Sequence, residues 1–394
     1  MFKSAIFSLG LMILCASTTP VLAGEAITIG ETHTITSSVM AEQRKILISL
    51  PTSYAQNKDK TYPVLYLLDG DSHFHQTTGI VNWLSNSLIP ELIVVGVPNT
   101  NRGRDLSPTL AENGKPQGAE KFMGFFEKEL LPYIDKHYRT APYRVLTGHS
   151  MGGMFGLNVL ATKPDLFDAF ILMSPWLLTQ DPATSVLTKS IKFIKSQTQL
   201  PKYIYVTLGE EPDLRPSFDQ LTTALKNSTA QKLVWQSKVI QGATHMSVVG
   251  ASVNEGLQAV FSDLKLSMTS DTVKKGAAAI IKYYKTLSST KYGFDISAES
   301  TLMALGRDLF FAGKIKQSEA ALKMAVQTYP ESVEGFYSLS YLYQQEKDFE
   351  QALVAVDKAI ELLKKAQSPG LADFEQLKAQ LLKQQSEQKL KNNK

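Results

Sequence analysis

Five residues in the middle of the chain, Gly148-His149-Ser150-Met151-Gly152, have the types and order that a nucleophilic serine needs. A serine at the tip of a sharp strand-to-helix turn projects its hydroxyl, and glycines on either side remove Cβ atoms that would collide with nearby backbone. The flanks agree with that reading. An apolar, β-rich run over Tyr143–Thr147 leads straight into the motif, and a helical pattern over Met151–Thr162 follows it. Five residues alone recur by chance as a Gly-rich turn; the strand before and the helix after make this a nucleophile elbow. The Met151 N–H, first in the helix, is then expected to face a developing oxyanion.

A serine hydroxyl is a poor nucleophile without a base. With an elbow of this kind the chain order is serine, acid, histidine. Of six histidines only His245 follows Ser150, in the loop Gly242-Ala243-Thr244-His245-Met246-Ser247. Uniqueness and position make it the candidate base. The acid should follow the strand-like run Tyr203–Leu208, where Glu210, Glu211 and Asp213 are on offer. One should orient the imidazole; spacing leaves Glu211 and Asp213 both open. The loop Asp69-Gly70-Asp71, after the run Tyr62–Leu68, is the expected source of a second oxyanion donor. There Gly70 permits close backbone approach, and the Asp71 N–H is the favoured group. His73 and His75 form an H-x-H pair of the sort that binds metals. No further ligands cluster with them and serine hydrolysis needs none, so neither a metal nor a cofactor is expected.

The elements that must position these groups are legible as alternation. Thr28–Thr36 and Lys45–Leu50 read as an antiparallel opening pair. Tyr62–Leu68, Leu92–Val97, Tyr143–Thr147, Ala169–Met173, Tyr203–Leu208 and Lys232–Ile240 are mostly continuous apolar runs, the mark of strands covered on both faces. Helical patterns over Phe74–Leu88, Ala119–His137, Met151–Thr162, Ser217–Lys226 and Val248–Leu264 separate them. The expected fold is a doubly wound, mostly parallel α/β sheet.

The chain has 394 residues, which points to two domains, and a net charge of only +4 with no dense Lys/Arg block, which excludes a nucleic-acid partner. After about Ser267 the β-rich runs stop and Lys, Gln, Glu, Ala and Leu dominate. At an offset of 34, Leu302, Leu305-Gly306, Leu309, Leu322 and Ala325 line up with Phe336, Leu339-Ser340, Tyr343, Val356 and Ala359. This resembles the tetratricopeptide repeat, so an all-α helical-repeat domain is expected over 268–394, with 24–267 as the α/β domain. Such repeats would serve a protein partner or a homodimer.

Residues 1–23 read as a cleaved secretory signal: Lys3 precedes an apolar stretch over Ala5–Ala16, and Val21-Leu22-Ala23 supplies small residues before the cut. The stretch is shorter than the roughly 20 residues of a spanning helix, so the mature chain is expected in the periplasm or outside, not across a membrane. Its lone cysteine, Cys15, leaves with the signal.

Four separated runs carry a family resemblance. Tyr62-Pro63-Val64-Leu65-Tyr66-Leu67-Leu68-Asp69-Gly70, Asn101-Arg102-Gly103-Arg104-Asp105-Leu106-Ser107-Pro108, Glu129-Leu130-Leu131-Pro132-Tyr133-Ile134 and Gly148-His149-Ser150-Met151-Gly152-Gly153 resemble the putative esterase family of α/β-hydrolases. That family includes enterobactin-type siderophore esterases, S-formylglutathione hydrolase, feruloyl and acetylxylan esterases and mycolyltransferases. The resemblance implies Ser150 as nucleophile and His245 as base. It favours Glu211 through Leu208-Gly209-Glu210-Glu211, while relatives described as working with a Ser-His dyad leave the need for an acid open. Arg104-Asp105 matches a motif near the cleft. Arg104, Trp176 and His149 are the candidate substrate-binding residues, each with a plainer reading: a loop-bracing ion pair for Arg104, packing for the other two.

The expectation is therefore an exported serine hydrolase that cleaves a small-molecule carboxylic ester through an acyl-enzyme, siderophore-esterase-like. The alternatives are an acyltransferase, a feruloyl or acetyl-carbohydrate esterase, and a repeat-mediated interaction protein with a vestigial hydrolase. The repeat-like tail is absent from short single-domain relatives, so the siderophore substrate does not transfer directly.

Overall fold

The computed structural model describes residues 27–108, 118–178 and 185–392; the expected signal over 1–23, with Cys15, lies outside them. Eight strands form one sheet: β1 (Glu31–Ser37), β2 (Glu42–Ser49), β3 (Tyr62–Leu68), β4 (Ile93–Val97), β5 (Thr140–His149), β6 (Ala169–Met173), β7 (Tyr203–Leu208) and β8 (Val234–Val239). Their order is β1-β2-β4-β3-β5-β6-β7-β8. β1 and β2 pair antiparallel, as do β2 and β4, and the remaining pairs are parallel.

The continuous apolar runs have a simple cause. Within β3, Val64, Tyr66 and Leu68 enter one core cluster, while Leu65 and Leu67 enter the other. Period-two alternation thus feeds two cores at once. The first core packs under α2 (Arg102–Leu106), α3 (Ala119–Phe125), α4 (Leu131–His137), α5 (Met151–Thr162), α6 (Val186–Ser196) and α7 (Arg215–Lys226). The second packs under α1 (Gly70–Leu84) and α8 (Val248–Val260).

Helices α2 and α6 were not expected from sequence, and three further elements differ from expectation for physical reasons. The run Lys232–Ile240 forms β8, but as the outer strand it is mostly exposed rather than buried on both faces, with Lys238 bonded to Glu255 at 2.7 Å. An edge strand has one neighbour, so apolar character in the run does not guarantee cover. The helix expected over Ala119–His137 is interrupted by a π-type turn at Phe126–Leu130, where the Leu131 N–H reaches back five residues to the Phe126 carbonyl. Pro132 comes next and has no N–H for the regular ladder, which favours such an adjustment. Helix α1 starts at Gly70 rather than Phe74, directly after Asp69 in a left-handed conformation (φ 54°). The apolar period marks a helix's buried stripe, not its polar first turn.

Beyond the sheet lie α9 (Asp271–Lys274), α10 (Ala277–Leu287), α11 (Glu299–Phe311), α12 (Ile315–Thr328), α13 (Val333–Gln345), α14 (Phe349–Lys365) and α15 (Leu371–Asn392). α11/α12 and α13/α14 form two hairpins that start 34 residues apart, matching the sequence offset. Their close crossings are equivalent too. The Ser318 hydroxyl donates to the Gly306 carbonyl at 2.6 Å, and the Ser340 hydroxyl to the Ala352 carbonyl at 2.9 Å.

The sheet's second core does not stop at residue 267. Tyr292, fully buried, lies with its ring 4.7 Å from Tyr143 and 5.7 Å from Phe261. Its hydroxyl donates to Asp263, which also binds Lys291 at 2.6 Å. The segment around Tyr292 therefore belongs to the sheet by packing, although it follows α10 in the chain.

Candidate active site

Ser150 sits between the end of β5 and the start of α5 with φ 57° and ψ −116°, a region that a non-glycine residue occupies at a cost. The surroundings hold it there. Its N–H donates to the Met173 carbonyl at 2.9 Å, and its carbonyl accepts from Met154 and Trp176, both at 3.0 Å. Gly148 is required by close approach: a Cβ there would lie 2.5 Å from the backbone C and O of Gly152. The N–H groups of Met151, Gly152 and Gly153 precede the first intrahelical bond and form the positive end of α5.

The loop after β8 carries His245, and the loop after β7 carries Glu211 to meet it. His245 Nδ1 hydrogen-bonds Glu211 Oε2. The other carboxylate oxygen, Oε1, accepts from the Ser174 hydroxyl at 2.5 Å and from the Gly209 N–H at 3.0 Å. Backbone pairing joins the two loops, with the Glu210 N–H donating to the Ala243 carbonyl at 2.7 Å, and Glu210 itself accepts from the Gly242 N–H at 2.9 Å. Asp213, the other acid left open by spacing, is exposed on the following turn, and among the described residues the carboxylate bonded to His245 is that of Glu211. The Ser150 hydroxyl makes no hydrogen bond among the described residues.

His149 packs against both His73 and His245. Its ring is buried (3% exposed), stands 4.6 Å from that of His245 and 5.8 Å from that of His73, and contacts the His245 backbone carbonyl through Nε2 at 2.6 Å. A carbonyl only accepts, so Nε2 carries a proton. Burial, then the neighbouring His245, pushes its pKa down to about 4, and burial lowers that of His73 as well. This corrects the placement of His149 among substrate-binding residues: its polar edge is already committed to the His245 loop.

Arg104 is corrected too. It donates through Nε to Asp105 at 2.6 Å and through Nη2 to Glu42 at 2.7 Å; Asp105 also binds buried Arg44 at 2.6 Å. These bonds engage Nε, Nη1 and Nη2 and brace the loop, the plainer of the two readings given for Arg104. Its neighbour Arg102, not singled out from sequence, is the one that reaches the elbow. It grips Asp69 with Nε at 2.6 Å and Nη2 at 3.0 Å, and Nη2 also donates to the His149 carbonyl at 3.2 Å. The Asp69 carboxylate holds the Arg102 guanidinium more firmly protonated than usual.

The other candidates fall around this frame. A Cβ on Gly152 would lie 3.4 Å from Asp69 Oδ2, so the starts of α1 and α5, bearing the Asp71 and Met151 N–H groups, are adjacent. The Asp71 side chain accepts from Asn99 Nδ2 at 3.1 Å. Gly70 is needed for a different approach than expected: a Cβ there would meet Val97 N at 2.7 Å, in β4. The H-x-H pair diverges, with His73 on His149 and His75 lining a separate cleft of about 700 Å³ beside Asn82 and Glu91. Trp176, Leu178 and Met246 are exposed. Trp176 follows the backbone bond to Ser150 and Met246 adjoins His245, so both offer apolar surface at the site.

Ser174 and Arg102 were not singled out from sequence, although Arg102 lies in one of the four runs that carry the family resemblance. Ser174 heads Ser174-Pro175-Trp176 at a strand end, and Arg102 is two residues before the arginine chosen.

Comparison with known proteins places these observations. The profile of the putative esterase family matches residues 37–253. The ferri-bacillibactin esterase of Bacillus subtilis is 28% identical over 232 residues, covering 50% of this chain and 78% of that protein. Among solved structures, the BES protein from Bacillus cereus is 27% identical with a TM-score of 0.55, covering 61% of this chain and 98% of that one. An IroE-like serine hydrolase from Shewanella oneidensis shares the fold, with 24% identity and a TM-score of 0.60 over 84% of this chain and 98% of that one.

Proposed function

The chain belongs to the putative esterase family, and from that footing we propose that it is an exported siderophore-type esterase working through an acyl-enzyme on Ser150. Ester cleavage draws on relatives named as esterases. The substrate class draws on relatives named as siderophore esterases, among them the ferri-bacillibactin enzyme and one from Emericella nidulans. Export draws on the signal-like residues 1–23.

The observation that carries the mechanism is the Glu211–His245 pair beside the Ser150 elbow. With Nδ1 bonded to a carboxylate, the Nε2 lone pair of His245 is free to act as base. The mechanism requires the Ser150 hydroxyl within hydrogen-bond reach of Nε2, a contact of the kind that tightens when substrate is bound. Nε2 takes the Oγ proton as Oγ attacks the ester carbonyl. The oxyanion is met by the N–H groups of Met151 and Asp71, backed by the positive ends of α5 and α1. Collapse expels the alcohol, which takes the proton from Nε2. Water, deprotonated by His245, then attacks the acyl carbonyl and frees Ser150. Glu211 stays ionised throughout and stabilises the imidazolium.

The test uses the purified protein with short-chain, feruloyl and catecholate-trilactone esters, with and without a fluorophosphonate probe. Turnover of the trilactone and labelling at Ser150 are expected, both lost in Ser150→Ala. Retained turnover in Ser150→Ala sinks the mechanism; turnover of every ester but the trilactone sinks the substrate class. An added alcohol acceptor that diverts the acyl group without slowing its release would favour acyl transfer.

A further inference from the structure

We propose that Ser174 is the positioning residue of the catalytic acid: its hydroxyl fixes which oxygen of Glu211 faces His245. This rests on the Ser150–His245–Glu211 reading and deepens it. Glu211 has two oxygens, and an unrestrained carboxylate would share them among its donors. Here the Ser174 hydroxyl, at 2.5 Å, and the Gly209 N–H, at 3.0 Å, both go to Oε1. Oε2 is thereby left for His245 Nδ1. The Gly209 N–H also reaches Ser174 Oγ at 3.3 Å, so the hydroxyl accepts from one side and donates its proton to Oε1. Charge-assisted bonds of this kind are the strong, directional ones.

The position of Ser174 explains why it can do this. It follows β6 directly, is fully buried, and is tied by its N–H to the Thr207 carbonyl at 2.9 Å. The next two residues run to the nucleophile. Pro175 packs so closely on α5 that a Cβ on Gly153 would sit 3.0 Å from its Cα, and the Trp176 N–H donates to the Ser150 carbonyl at 3.0 Å. One three-residue segment therefore sets both the acid and the nucleophile. The backbone of Ser174 has φ 40°, a region that favours glycine. The side chain must supply what the backbone conformation does not, and the one polar group it holds by its proton is Glu211.

That strain gives a clean test. Ser174→Gly relieves the backbone and deletes the hydroxyl, while Ser174→Ala deletes the hydroxyl and keeps Cβ. Each is made in the full chain, alone and with Glu211→Ala. Three quantities are measured: melting temperature, kcat and KM on a simple ester, and the downfield proton resonance of His245 Nδ1–H. Ser174→Gly should melt at or above the wild-type temperature, lose about tenfold in kcat with KM within about twofold, and shift or broaden that resonance. With Glu211→Ala already present, it should cost nothing further. Wild-type kcat and resonance in both Ser174→Gly and Ser174→Ala overturn the proposal, as does an undiminished loss in the Glu211→Ala background. If Glu211→Ala alone keeps full activity, the acid assignment falls and the proposal with it. A disabled Glu211→Ala beside an unaffected Ser174→Gly removes this inference alone.

Discussion

Replacing His149 by phenylalanine isolates one bond at the centre of the site. The aromatic body stays among His73 and His245, but the donor to the His245 carbonyl, at 2.6 Å, is gone. A polar group left facing a buried apolar ring costs about 1–3 kcal/mol. That is the expected loss of stability near pH 8. The acid side behaves differently. Burial, then His245 and, more weakly, His73 push the folded-state pKa down to about 4 against an ordinary 6.5, opposed by the hydrogen bond to the His245 carbonyl and by the Asp69 carboxylate. The unfolded chain thus takes up the proton first, so this residue's contribution is fully present above about pH 6.5 and is lost as pH falls towards 4. The gap corresponds to roughly 3 kcal/mol at most. Wild type should therefore lose stability over that window, and His149→Phe should lose less, closing or reversing its deficit by pH 4. Urea unfolding from pH 8 to 4 reads this directly. Because the bond fixes the His245 loop, kcat/KM at pH 8 should also fall, on the order of tenfold or more. Parallel pH–stability curves for the two proteins, together with unchanged kcat/KM, would refute the reasoning.

Two further outcomes follow from packing. Gly148→Ala places a Cβ 2.5 Å from Gly152 backbone, which has no side chain to swing aside, so the elbow must deform. Fluorophosphonate labelling should slow at least tenfold, with a stability loss of about 1–3 kcal/mol; an alanine variant that labels at the wild-type rate removes the steric argument. Tyr292→Ala should cost about 3–5 kcal/mol in denaturant unfolding, and Tyr292→Phe about 1 kcal/mol because Asp263 keeps Lys291. A chain ending at residue 270 should be at least as unstable as Tyr292→Ala; one that melts with wild type would mean that the sheet does not use this segment.

The strand–turn–helix elbow at Ser150 could be read from sequence because its determinants are local: strand, Gly148-His149-Ser150-Met151-Gly152 and helix are contiguous. Strands β3 to β7 were legible for a similar reason, since burial on both faces leaves no polar period. The hairpins α11/α12 and α13/α14 were visible as a repeat of 34. Side-chain direction was not legible. Glu211 and Asp213 lie two residues apart on one loop, and only the pairing of Glu210 with Ala243 turns Glu211 towards His245. Arg102 and Arg104 share a short helix, and which one meets the elbow depends on Asp69, from a different strand end. His149 looked like a cleft residue until the fold brought the His245 carbonyl to its ring. Tyr292 lies far along a helical segment, yet it fills the sheet's second core. Local pattern determines which backbone forms. Which atoms meet is decided by contacts between segments far apart in the chain, where a rotation of one residue along a loop or helix exchanges a buried partner for water.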